Sequence, residues 1–248
     1  MQLPLWKAAD RLWAWWFFLM APSVKEEWLE KFGDVTLSIR GGTSDVYVSK
    51  EIFRWKSYPL TPRGVVIDLG ANIGAFSLFA AQTARTVYAF EPSSDNYAQL
   101  LKNIAANRFS NIVPIRKAVG GANGAVDLYR ASANKGSSSI VSVVSRDSER
   151  VEVVTLEKTL EICGVDHVDL LKVDIEGSEF SLFENASLEI LERIDQIEME
   201  VHPIRGKRIE DIEKRLAEAG FTTQRKRNSL SILGFKMLFA SRNGDLQI

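Results

Sequence analysis

Two hydrophobic rhythms alternate along this chain beyond Pro22. Short apolar, β-branched runs such as Val65-Val66-Ile67 are followed by longer stretches whose apolar positions recur at helical spacing. The first segments, 35–40 and 45–48, read as a hairpin turning at Gly41-Gly42. The pattern then predicts strand 65–69, helix 73–83, strand 86–90, helix 95–107 and strand 112–116. Segments 124–129 and 151–155 read as an inserted strand pair around the polar loop 134–139. Helix 156–162, strand 169–173, helix 178–191, strand 194–201 and helix 208–219 follow. Segments 222–225 and 231–240 close the chain as a hairpin joined by Lys226-Arg227-Asn228. Strands alternating with helices imply an α/β fold with a mostly parallel sheet and helices on both faces. The chain divides into a Trp-rich helical segment (1–30), a hairpin and linker (31–60) and a ligand-binding domain (61–248).

The N-terminal segment breaks this rhythm. Residues 12–21 are ten consecutive apolar residues, short of the roughly 20 that a spanning helix needs. Four of the six tryptophans (Trp6, Trp13, Trp15, Trp16) lie here. Tryptophan suits both protein contacts and membrane interfaces, so the segment is expected to pack on the domain, on a second subunit, or against a membrane surface.

Charge narrows the partners. The formal net charge is −1, and the basic residues Arg205, Lys207, Arg208 and Arg225–227 are offset by Glu210, Asp211 and Glu213. Nucleic acid is therefore not expected as a partner. The single cysteine, Cys163, excludes internal disulfides and fits a reducing, cytoplasmic setting.

The chemistry starts where strand 65–69 meets Gly70-Ala71-Asn72-Ile73-Gly74. A small-residue turn between strand and helix lets backbone approach a ligand closely. Glu91, ending the next strand, follows Gly70 by 21 residues, the separation at which a carboxylate meets the ribose hydroxyls of a bound adenosine. Two cofactor classes use this layout. A dinucleotide site wants G-x-G-x-x-G, but Asn72 and Ala75 occupy its second and third glycine positions. The template acid-x-G-x-G-x-G is met by Asp68, Gly70 and Gly74, with Asn72 replacing only the middle glycine. An aspartate beside the turn favours the ammonium of S-adenosylmethionine and repels a pyrophosphate. This favours the methyl donor over the dinucleotide.

A second constellation ends the strand at 169–173, where Asp174 and Glu176 emerge toward the same crevice. On strand 194–201, period-2 alternation puts Glu198, Glu200 and His202 on one face. Carboxylates and an imidazole converging there can deprotonate a hydroxyl, with Asp174 or His202 as base and Glu200 orienting His202. They can alternatively hold a divalent metal, which is not predicted. The plainer reading has Asp174 capping the next helix and Lys172 pairing with a nearby acid.

The ordered blocks Val-Ile-Asp-Leu-Gly-Ala-Asn-Ile-Gly (66–74), Phe-Glu-Pro (90–92), Leu-Lys-Asn-Ile-Ala-Ala-Asn (101–107), Ala-Val-Gly (118–120) and Leu-Leu-Lys-Val-Asp-Ile-Glu-Gly-Ser-Glu (170–179) resemble the FkbM-type methyltransferases. Glu-Val-His (200–202) extends the likeness. The resemblance implies a class I, Rossmann-like methyltransferase with a seven-stranded sheet and a C-terminal antiparallel hairpin. It also implies S-adenosylmethionine as donor, S-adenosylhomocysteine as product, and O-methylation of a hydroxyl on a sugar, polyketide or other small metabolite. By position, Asp68, Gly70, Ala71, Asn72 and Gly74 would line the methionine end, and Glu91 with Pro92 would hold the ribose. Backbone around Ala118 would face adenine, and Asp174 and Glu176 would sit beside the reacting methyl. The chain departs from the family at Leu156-Glu157-Lys158, where Leu-Asp-Asp is usual. RNA or protein methylation, and a non-catalytic binding role, remain the alternatives. Asp174-Ile175-Glu176-Gly177 stands where amino-group methylation of bases uses Asn/Asp-Pro-Pro-aromatic. Loop 137–139 and the N-terminal segment are the expected lids.

Overall fold

A computed structural model describes residues 26–130, 138–139, 148–226, 236–244 and 246. The Trp-rich segment up to residue 25, position 137 of the proposed lid and the connection at 227–228 lie outside the described residues.

The chain enters as an antiparallel hairpin, β1 (Glu27–Phe32) and β2 (Val35–Arg40), turning at Gly33. The expected hairpin across Gly41-Gly42 is therefore replaced by one a step earlier. Its presumed second strand is a helix, α1 (Asp45–Phe53). Val46 and Val48 favour a strand locally, but tertiary contacts override that preference. Asp45 is fully buried in the first helical turn, and accepts from Arg40 N (3.0 Å), Nε (2.8 Å) and Nη2 (2.9 Å). Its charge also complements the helix N-terminus.

The main sheet has seven strands. They are β3 (Val65–Leu69), β4 (Thr86–Phe90), β5 (Ile112–Ile115), β10 (Val168–Val173), β11 (Ile194–Val201), β12 (Thr222–Lys226) and β13 (Lys236–Ser241). Their order is β12-β13-β11-β10-β3-β4-β5, all parallel except β13, which runs antiparallel to both neighbours. From β3 the chain steps outward through β4 and β5, then returns to build β10 and β11 on the other side. The reversal between β3 and β10 opens a crevice at the carboxyl ends of those strands.

Alternation along the strands feeds two cores. Ile67, Leu69, Leu171, Val173, Ile197 and Met199 pack on one face with α4 (Leu156–Cys163), α5 (Glu179–Asn185), α6 (Leu188–Leu191) and α7 (Ile209–Glu218). Val66, Val87, Ala89 and Leu170 pack on the other with the β1–β2 hairpin, α1, α2 (Ala75–Ala81) and α3 (Ser94–Ala105). The helix expected over 178–191 is two helices, because Ala186 is extended and Ser187 caps a new start by accepting from Ile190 N. A small second sheet, β6 (Ala118–Val119), β7 (Gly124–Arg130), β8 (Ser138–Ser139) and β9 (Ser148–Val154), contains the expected inserted pair as antiparallel β7–β9. Among the described residues, no helix is long and apolar enough to cross a membrane.

Candidate functional site

The glycine turn is stitched to the end of β4. Gly70 N and Ala71 N both donate to Phe90 O (3.0 and 2.9 Å), and Gly74 N donates to Ala71 O (2.8 Å). Gly70, Asn72 and Gly74 all have left-handed backbone, at φ of 79°, 52° and 87°. A Cβ on Gly70 would lie 1.8 Å from Asp174 O, so glycine is what permits the backbones after β3 and β10 to touch. The turn aims Asn72 N at Glu91 Oε2 (2.8 Å), while Ser93 N donates to Oε1 (2.9 Å). Burial pushes the Glu91 carboxyl up to about 7, against the pull of these two bonds. Each oxygen keeps lone-pair capacity for a further donor.

A cleft of about 570 Å³, including its part open to solvent, starts from this turn. Gly70, Asn72 and Glu91 give it a polar side, while Phe90, Pro92, Ala118, Val119 and Leu128 give it an apolar one. Ala118 and Leu128 come from the second sheet, which is how that insertion serves the site. Asp174, Ile175 and Glu176 line its acid end, against Gly70.

Asp68 does not line this cleft. It is fully buried, accepts from Ser77 Oγ (2.6 Å) and lies 3.1 Å from Lys172 Nζ. Parallel register sets Lys172 opposite Asp68 on one side and Glu198 on the other. The expectation that Asp68 faces a ligand ammonium is thus corrected: the ammonium beside Asp68 is the chain's own. Lys172 Nζ also donates to Gly70 O (2.9 Å) and lies 3.6 Å from Asp174 Oδ2, linking turn and acid end. Burial alone would lower the Lys172 pKa, but Asp68 and Asp174 raise it and hold the ammonium charged.

Glu198, Glu200 and His202 share a face of β11, but that face is buried rather than open at a crevice mouth. Leu60 N donates to Glu198 Oε2 (3.3 Å). Burial raises Glu198 to about 8 and Glu200 well above the carboxylate range, the latter reinforced by Asp174 and Glu51. His202 is oriented by Glu179, not by Glu200: its Nδ1 lies 2.8 Å from Glu179 Oε1. Its Nε2 lies 3.4 Å from Glu176 Oε2 and 3.9 Å from Asp174 Oδ1. Burial alone would lower the imidazole pKa, but Glu179, Asp174 and Glu176 push it up to about 10. These acids favour the protonated imidazole, which disfavours His202 as the base expected of it. Glu176 has left-handed backbone (φ 52°) and is raised to about 7 by burial and then by Asp174. Glu179 Oε1 also accepts from Ile175 N and Gly177 N (both 3.2 Å), holding that turn in place.

Sequence reasoning missed Glu51 and Tyr58. Both are buried, and burial together with the nearby Asp174 carboxylate raises the pKa of each. Residues 45–60 carried no visible signal, since their role depends on α1 packing there. Lys172 did carry one, as a lone cation inside the apolar run Leu170-Leu171-Lys172-Val173.

Comparisons with known proteins give the chain's family and fold. A family model described as "Methyltransferase FkbM domain" matches residues 68–223. Methyltransferase sdnD of Sordaria araneosa is 26% identical over 232 residues, covering 79% of this chain and 89% of that one. The 31-O-demethyl-FK506 methyltransferase FkbM of Streptomyces tacrolimicus is 29% identical over 196 residues, covering 64% and 75%. Among solved structures, methyltransferase FkbM from Methylobacillus flagellatus KT superposes with a TM-score of 0.52 at 16% identity. That match covers 77% of this chain and 47% of the other, so this chain spans about half of that longer one. TYW2 of M. jannaschii, solved with AdoMet, matches at 0.50 and 14% identity over 88% and 86%.

Proposed function

The chain belongs to the FkbM methyltransferase family, and from that premise we propose that it moves the methyl group of S-adenosylmethionine to a hydroxyl oxygen of a small molecule. The observation that carries this reading is Glu91, fixed by Asn72 N and Ser93 N at the head of a cleft that ends in Asp174 and Glu176. Adenosine would lie along Phe90, Pro92, Ala118 and Val119, with its ribose hydroxyls donating to Glu91. The methionine end would follow the turn Gly70–Gly74 toward Asp174. A sulfonium needs no further activation, so the protein mainly aligns oxygen, carbon and sulfur, which contributes about 7–11 kcal/mol. The acceptor oxygen bonds to the methyl carbon as the S–CH₃ bond breaks and its electron pair stays on sulfur. The hydroxyl proton passes to the Asp174–Glu176 carboxylates.

Two features support a small acceptor over nucleic acid. The acid end would repel a phosphate backbone, and the chain has a formal net charge of −1. The choice of oxygen draws on the Streptomyces relative, whose name describes methylation at an O position. Calorimetry with S-adenosylhomocysteine and, separately, NAD tests the cofactor: binding of the former only is expected. Absence of S-adenosylhomocysteine binding to folded protein overturns the reading. Mass spectrometry of polyhydroxylated and polyketide acceptors incubated with the methyl donor tests the oxygen, where a methyl ether is the expected product.

A further inference from the structure

We propose that Asp174, Glu176 and His202 form a site for one divalent transition-metal ion at the acid end of the crevice. One donor atom from each residue lies within 4.8 Å of the other two. Ligands bound about 2.1 Å from a shared ion stand roughly 3.0–3.4 Å apart in octahedral or tetrahedral geometry. The Nε2–Glu176 separation of 3.4 Å is already that distance, and Asp174 Oδ1, at 3.9 Å from Nε2, needs only a small side-chain adjustment.

The surroundings are organised as the outer shell of such a site would be. Glu179 holds His202 through Nδ1, presenting Nε2 to the two carboxylates, so that an ion displacing the Nε2 proton would meet a histidine oriented by an acid. Lys172 lies on the Oδ2 side of Asp174, and Oδ1 is the oxygen on the His202 side. Glu200, 4% exposed, is a further acid packed beside the same three residues. One imidazole nitrogen with carboxylate oxygens selects Mn²⁺, Fe²⁺ or Zn²⁺ over Ca²⁺. The role of the ion, which rests on the transfer reading, is to bind the acceptor hydroxyl and acidify it, while a carboxylate oxygen not bonded to the ion takes the proton.

The test is titration of the EDTA-treated full chain with MnCl₂, followed by calorimetry and by electron paramagnetic resonance. One ion per chain is expected, with affinity at least about tenfold weaker in both His202→Ala and Glu176→Gln. Each variant's thermal upshift with S-adenosylhomocysteine reports whether it is folded. If His202→Ala fails to fold, Glu176→Gln carries the test alone, since its side chain is 39% exposed. No saturable Mn²⁺ binding, or equal affinity in wild type and the folded variants, overturns the site. Mn²⁺ binding without S-adenosylhomocysteine binding upholds the ion site while removing the transferase reading.

Discussion

At the scale of single residues, the proposed cofactor contact rests on Glu91. Its ionised form is disfavoured by burial, and ribose hydroxyls donating to it would favour that form again. Glu91→Gln is expected to weaken S-adenosylhomocysteine about 10–100-fold, the value of one or two charge-assisted bonds. Calorimetry against the wild type checks this, and an unchanged constant removes Glu91 from the ribose site. The sign with pH follows from its position at about 7, above the ordinary 4.5. The empty folded state prefers the protonated acid, while the bound state prefers the carboxylate. Affinity is therefore expected to be full above pH 7 and to fall below it, by up to about tenfold per unit, as pH approaches 4.5. The slope should vanish in Glu91→Gln. In the proposed transfer, Asp174 would act on the acceptor rather than hold adenosine. Asp174→Asn is expected to lower kcat by about 10²–10⁴ while S-adenosylhomocysteine affinity changes little. Unchanged turnover would remove it from the mechanism.

At the scale of elements, the site depends on how α3 grips its neighbours. Asn103 accepts from Ser38 N (2.7 Å) in the β1–β2 hairpin and donates to Ile73 O (2.8 Å) in the glycine turn. Asn107 clamps Thr36 through both its N–H (2.9 Å) and its carbonyl (2.7 Å). The block at 101–107 that resembles a family signature is thus a polar bracket tying the entry hairpin to the glycine turn. Asn103→Leu leaves Ser38 N and Ile73 O buried without that partner. It is expected to cost about 1–3 kcal/mol for each orphaned group, seen as a lower urea midpoint at unchanged slope. A midpoint equal to wild type would show that the bracket contributes nothing. The mistaken strand at 45–48 belongs to this scale too. Its β-branched residues are local evidence, and the Arg40–Asp45 contact that starts α1 instead comes from the hairpin's folded shape.

At the scale of the whole molecule, two cores share one sheet, and the crevice sits where its strand order reverses. The β1–β2 hairpin packs into the same core as β3 and β4, so the division drawn at residue 60 does not separate independent bodies. One cooperative unfolding transition is expected for the described body, shifted upward by S-adenosylhomocysteine. Ligand at 100 times its dissociation constant adds about 2.7 kcal/mol, and calorimetric scanning would read it as a raised midpoint. Two separate transitions would contradict the shared core. The sequence by itself determined the alternation of strands and helices, the glycine turn and its partner Glu91, because these rest on spacing and backbone conformation within short segments. It also placed Asp174, Glu176 and His202 at strand ends, since period-2 alternation is local. Only the tertiary structure decided that Asp68 is spent on Lys172, that Glu179 rather than Glu200 orients His202, and that Glu51 and Tyr58 are buried within the field of Asp174. Those outcomes depend on register between distant strands and on burial. Both arise when segments separated in the chain exclude water together, and no local pattern records them.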